Sequence, residues 1–121
     1  MPRILLVDDD TDVLQSTREL LQEEGYEVLV AEDGAQALAF AERDAPDLVI
    51  LDIVMPHHNG LSVLQRLRRG SRRPPKIIVL TGNAEPRVRQ CAQSAGVDAF
   101  VQKPFDIDQL LATVQDLLGQ L

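Results

Sequence analysis

The sequence predicts an α/β fold: a doubly wound sheet of five parallel strands in the order 2-1-3-4-5, with helices on both faces. Three observations predict it. Ile4–Val7, Leu48–Leu51 and Ile77–Leu80 are unbroken apolar runs, the pattern of strands covered on both sides by helices. Strand-like runs alternate five times with segments of helical spacing, which implies βαβ units and a parallel sheet. Polar residues directly follow the strand-like runs: Asp8 and Asp9, Asp52, Thr81, and Lys103 one residue beyond Gln102. In open α/β sheets that carboxyl edge is where ligands bind.

The elements follow in order. Ile4–Val7 is the first strand. Asp10 or Thr11 caps the next helix, in which Val13, Leu14, Thr17, Leu20 and Leu21 recur at helical spacing and which Gly25 stops. Glu27–Ala31 is the second strand, and Asp33-Gly34 reads as a turn. Ala35–Arg43 is a helix with Ala37, Leu38 and Ala41 inward; Pro46 prevents its continuation. Leu48–Leu51 is the third strand. Asp52 follows it directly, and Pro56, Asn59 and Gly60 mark an irregular loop. Leu61–Arg69 is a helix with Leu61, Leu64 and Leu67 inward, and 70–75 is a loop. Ile77–Leu80 is the fourth strand, and a helix runs from about Pro86 to Ala95, stopped by Gly96. Ala99–Val101 is a short fifth strand. Asp106 caps a last helix whose apolar stripe is Ile107, Leu110, Leu111, Val114, Leu117 and Leu118. The continuous runs place strands one, three and four in the centre and two and five at the edges. That is the flavodoxin-like arrangement, with its switch point between strands one and three.

The 121 residues suit a single domain spanning 1–121, with no output domain in this chain. Aromatics are few (Tyr26, Phe40, Phe100 and Phe105), so the core must be aliphatic. The net charge of −7 argues against direct nucleic-acid binding by the domain. The single Cys91 excludes an intrachain disulfide. No apolar run approaches membrane-spanning length and no signal-peptide pattern opens the chain, so a cytoplasmic protein with no membrane contact is expected.

If the sheet order holds, Asp8, Asp9, Asp52, Thr81 and Lys103 meet at one edge. Three carboxylates brought together repel one another, and a hard divalent cation relieves the repulsion. Mg²⁺ takes few carboxylates plus waters and leaves room for a phosphate oxygen. A lysine opposite them supplies a point charge for a phosphoryl group, and a threonine supplies a hydroxyl. The set suits phosphoryl transfer to a carboxylate, which depends chiefly on positioning and charge neutralisation.

Val7-Asp8-Asp9, Leu51-Asp52 with Met55-Pro56 and Gly60, Leu80-Thr81-Gly82, and Lys103-Pro104-Phe105 resemble the receiver domain of two-component response regulators. The likeness covers essentially the whole chain, in order and with matching spacing. The resemblance implies a phospho-accepting switch. Asp52 is then the acceptor, attacking the phosphorus of a phosphohistidine on a sensor histidine kinase or a histidine phosphotransfer protein. Asp9, Asp52 and the backbone carbonyl of Val54 would ligate Mg²⁺ (or Mn²⁺), with Asp8 acting through water. Lys103 would pair with the phosphoryl group and Thr81 would hydrogen-bond it. Phe100 would turn inward as Thr81 moves, and the Lys103-Pro104 bond would be cis. Such a protein is not a conventional enzyme; it catalyses its own phosphorylation and dephosphorylation. The fourth helix, fifth strand and fifth helix, carrying Arg87, Arg89, Gln93, Gln102 and Asp108, would form the surface for an effector, an output domain or a second copy. Val54 and Asn83 occupy the positions that tune phosphoryl lifetime. Val54 cannot hydrogen-bond an attacking water through its side chain, so autodephosphorylation slower than with a carboxamide there is expected.

Two rival functions use the same fold class. A haloacid-dehalogenase-type phosphohydrolase would use Asp8 in Asp8-x-Asp10 with Thr81 and Lys103, but leaves Asp52-x-x-Met-Pro unexplained. A receiver-like adaptor would signal without phosphate. Blander readings hold elsewhere. The Asp8–Asp12 stretch lacks the glycine of a calcium loop, and His57 and His58 lack the further ligands of a zinc site. Arg66, Arg68, Arg69, Arg72, Arg73 and Lys76 form a solvated face, and Cys91 is a packing residue.

Overall fold

The structure is a computed structural model that describes residues 2–55, 58–69, 74–82 and 86–119; at 54, 55, 58, 59, 61, 87 and 88 it describes the backbone. The elements are β1 (Arg3–Val7), α1 (Thr11–Glu23), β2 (Glu27–Ala31), α2 (Gly34–Asp44), β3 (Leu48–Asp52), α3 (Gly60–Arg69), β4 (Lys76–Thr81), α4 (Pro86–Ser94), β5 (Ala99–Gln102) and α5 (Ile107–Leu118). The five strands form one parallel sheet in the order β2-β1-β3-β4-β5. The three strands with unbroken apolar runs occupy its centre. They are buried over nearly their whole length, whereas β2 and β5 are mostly half-exposed.

The pleat sends alternate side chains to two cores. One holds Leu5, Val7, Val49, Leu51, Ile77 and Val79 under α2, α3 and α4 through Ala37, Val63, Leu64, Leu67 and Ala92. The other holds Ile4, Leu6, Leu48, Ile50, Ile78 and Leu80 under α1 and α5 through Leu14, Leu21, Leu110, Val114 and Leu117. Burying a side chain of this size stabilises the fold by about 1.5–3 kcal/mol, so the layering rests on the two-residue period of the central strands.

Strand starts are fixed by a repeated device. The Asp47 N–H donates to the Arg3 carbonyl (2.8 Å), and the Asp47 carboxylate accepts from the Arg3 N–H (2.8 Å). Asp98 repeats this on Ile77, at 2.9 and 2.7 Å. Each aspartate clamps the amino end of a neighbouring strand just before its own strand begins.

Three local expectations need correction. Asp33 and Gly34 are not a free turn: the Asp33 carboxylate accepts from the Gln36 N–H at 2.8 Å and caps α2, whose first residue is Gly34. The segment after Asp52 is not wholly irregular, since Val54–Met55 pairs antiparallel with His58–Asn59. A two-residue ladder is too short to leave an alternation in the sequence. Finally, α3 begins at Gly60 and buries Val63 together with Leu64 and Leu67, a stripe of i, i+3, i+4, i+7 spacing from Gly60. The Leu61 side chain lies outside the described residues.

Candidate functional site

Four polar side chains are buried among the described residues, and three of them stand at the carboxyl edge: Asp8 (3% exposed), Asp52 (5%) and Thr81 (8%). Burying polar groups is costly unless each is partnered, so their concentration at one edge marks a site.

Each is placed by its strand. Asp8 prolongs β1: its N–H still donates to the Ala31 carbonyl at 3.2 Å. One carboxylate oxygen accepts from the Asp10 N–H at 3.0 Å, while Asp10 caps α1 by accepting from the N–H groups of Asp12 and Val13. Asp52 ends β3 in register with Leu80, and Thr81 ends β4. Lys103 prolongs β5 through a 2.8 Å bond from its N–H to the Thr81 carbonyl. Its peptide to Pro104 is cis.

The four strand ends bring the side chains together. Lys103 Nζ lies 2.9 Å from Asp8 Oδ2 and 3.2 Å from Asp52 Oδ2. Oxygens of Asp8, Asp9 and Asp52 lie within 4.8 Å of one another. Asp9 is exposed and Lys103 is three-quarters buried. Burial disfavours the ammonium, but the Asp8 hydrogen bond and the charges of Asp52 and Asp8 outweigh it. The Lys103 pKa is therefore raised above 10.5.

That donor set fits a hard divalent cation. Oxygens sharing an octahedral Mg²⁺ stand roughly 3–4 Å apart, and the carboxylate oxygens here lie within 4.8 Å of one another. The main chain following Asp52 is held by the short ladder in which Val54 pairs with Asn59. The ladder depends on Gly60: a Cβ there would overlap the backbone of Ile53. The Val54 side chain and Asn83 lie outside the described residues, as does His57. Cys91, expected from the sequence to be a packing residue, is instead exposed on α4.

Phe100 is half-buried in β5, opposite Val79. Arg89 of α4 places its guanidinium carbon 5.5 Å from the centre of that ring. Sequence reasoning put Arg89 on an exposed surface but missed this contact. Eleven residues separate the pair, and no local spacing signals a meeting made by sheet and helix packing. The approach of Gly60 to Ile53 was missed too, although a glycine opening a helix beside a functional loop was a visible sign of it.

The chain's residues 4–115 match the family model described as the response regulator receiver domain. It is 41% identical over 118 residues to the transcriptional regulatory protein CpxR of Klebsiella pneumoniae, covering 98% of this chain and 50% of that protein. It is 42% identical over 116 residues to the response regulator MprA of Mycobacterium leprae, covering 96% of this chain and 50% of that protein. The chain thus spans about half the length of these relatives. Among solved structures, the CheY-like receiver domain protein of Methanospirillum hungatei superimposes with a TM-score of 0.94 at 35% identity, covering 99% of this chain and 95% of that one. The chemotaxis regulator CheY4 of Vibrio cholerae gives 0.88 at 34% identity, covering 97% and 98%. Strand order, the buried acidic edge and the family match agree: the chain belongs to the response regulator receiver domain family.

Proposed function

We propose that Asp52 is the phospho-acceptor of this receiver and that Lys103, Thr81, Asp8 and Asp9 form its transfer site. The observation that carries this is the Lys103 ammonium held between Asp8 and Asp52, with the Asp9 carboxylate beside them. An oxygen of Asp52 attacks the phosphorus of a phosphohistidine on a sensor kinase or phosphotransfer protein. The P–O bond forms as the P–N bond breaks, and the imidazole leaves with the electron pair. Lys103 exchanges its Asp52 contact for a phosphoryl oxygen, so the new charge is met without reorganising water. The Thr81 hydroxyl, at the end of the neighbouring strand, donates to another phosphoryl oxygen.

Receiver domains typically hold Mg²⁺ on an acidic cluster of this kind. Here Asp9, Asp52 and the Val54 carbonyl would hold it, with Asp8 acting through water and Mn²⁺ able to substitute. When bound, the ion neutralises charge on the carboxylates and the incoming phosphoryl group. Added phosphoryl charge draws Thr81 toward Asp52, and Phe100 turns inward behind it. The change is read on the surface of α4, β5 and α5 by an effector, an output domain or a second copy. The phosphohydrolase reading through Asp8 is not favoured by the family match.

The test is incubation with acetyl phosphate and Mg²⁺, followed by intact mass and mapping of the modified residue. One phosphoryl group on Asp52, absent in Asp52→Asn and after chelation, is expected. Label on Asp8 with steady phosphate release would overturn the proposal in favour of the hydrolase. No label on a folded protein would favour the phosphate-independent adaptor. With Asn83, Val54 sets the lifetime of the label. Val54→Asn, which can orient an attacking water, is expected to lose phosphate faster than the parent. A longer-lived label would contradict this role.

A further inference from the structure

Phe100 stands opposite Val79 in the register of β4 and β5, and Thr81 is two residues beyond Val79. Side chains two apart on a strand share a face, so Phe100, Val79 and Thr81 lie on the same side of the sheet as α3 and α4. The Phe100 ring packs against the core there while remaining half-exposed. Arg89 reaches from α4 over that ring at 5.5 Å, inside the roughly 6 Å reach of a cation–π contact. Among the described residues no carboxylate lies within ion-pair distance of Arg89. The aromatic face is therefore its described partner.

We propose that Arg89 is a positioning residue: it holds Phe100 in its half-exposed place and so sets the resting level of the switch. This rests on the roles proposed above for Thr81 and Phe100. Turning the ring inward toward Thr81 takes it out from under the guanidinium. The contact then exists in only one of the two arrangements, which is what biasing a two-state equilibrium requires. A cation–π contact at an exposed site shifts such an equilibrium about two- to fivefold. Inward rotation also takes the ring away from the Arg89 guanidinium.

Ring-¹³C phenylalanine labelling tests this. The chain has three phenylalanines, Phe40, Phe100 and Phe105, and Phe→Leu variants at 40 and 105 assign the signals. Arg43 lies 5.0 Å from the Phe40 ring on α2, so Arg43→Ala is an internal control for loss of a similar contact. In the absence of any phosphoryl mimic, Arg89→Ala should move the Phe100 signals toward the position the parent reaches with beryllium fluoride and Mg²⁺. It should also tighten apparent beryllium fluoride binding about two- to fivefold, because the competent state is more populated. Arg89→Lys should fall between, and Arg43→Ala should do neither. If Arg89→Ala or Arg89→Lys lowers thermal stability without moving the Phe100 signals or the affinity, Arg89 only shields the ring and the proposal is overturned. If the Phe100 signals of the parent ignore beryllium fluoride, the switch role of Phe100 fails and that of Arg89 fails with it. A parent that switches beside an Arg89→Ala protein indistinguishable from it removes Arg89 alone.

Discussion

Lys103 is the residue on which the site's charges converge, and its titration carries a signed consequence. Its folded pKa lies above 10.5, because the Asp8 hydrogen bond and the two carboxylate charges overcome burial. A raised folded pKa contributes stability that is fully present below the unfolded lysine value of about 10.4. That contribution is lost as pH rises through the folded value. Urea unfolding between pH 9 and 12 should therefore show the parent weakening with a steeper alkaline slope than Lys103→Gln. Equal slopes would mean that the pair with Asp8 and Asp52 adds nothing to stability. The same variant separates two roles at the site. Removing the ammonium takes away a cation that competes for Asp8 and Asp52, so Mg²⁺ should bind at least as tightly, while phosphorylation from acetyl phosphate falls about 10²-fold.

At the scale of elements, Gly60 decides whether the segment after Asp52 can take its shape. A Cβ there would meet backbone atoms of Ile53 rather than the end of a side chain, so the clash cannot be relieved by a rotamer change. Gly60→Ala is expected to cost about 1–3 kcal/mol, in the range of overpacking, and to weaken Mg²⁺ binding by shifting the chain around Val54. Calorimetry and an Mg²⁺ titration would check both, and an unchanged melting point would remove the close approach as a constraint. Elements differ in how openly the sequence declares them. The central strands are legible because burial on both faces leaves runs such as Leu48–Leu51 with no polar interruption. The cap of α2 was misread because Asp33-Gly34 is equally good turn chemistry, and only the Gln36 N–H decides between them. The ladder after Asp52 was invisible, and Val63 was passed over beside Leu64 and Leu67, with which it is buried.

Across the whole molecule, the sheet separates two cores that share strands but no side-chain layer. Ile4→Val in one and Ile77→Val in the other should each cost about 0.5–1.5 kcal/mol, and their effects should add within about 0.5 kcal/mol. A larger coupling in a double-mutant cycle would show that the layers communicate through the strands between them. The sheet order was readable from the sequence because apolar continuity ranks strands as central or peripheral. The meeting of Asp8, Asp52, Thr81 and Lys103 at one edge then follows from that order and from their places after strands. Their distances do not follow: the choice of Lys103 to straddle Asp8 and Asp52, or of Arg89 to cover Phe100, depends on side-chain placement that no spacing encodes.

The aspartate clamps at Asp47 and Asp98 tie strand beginnings to their neighbours, whereas strand endings carry the groups proposed above to trade partners. On that reading the sheet resembles a fan pinned along one rim by side chain and backbone, with its play in the side chains of the other. Amide protons at the pinned rim, such as that of Ile77, should exchange slowly with solvent and indifferently to phosphoryl mimics. Those near Thr81 and Lys103 should change their exchange rates when a mimic binds. A molecule with this polarity can bend its chemistry without loosening its foundations.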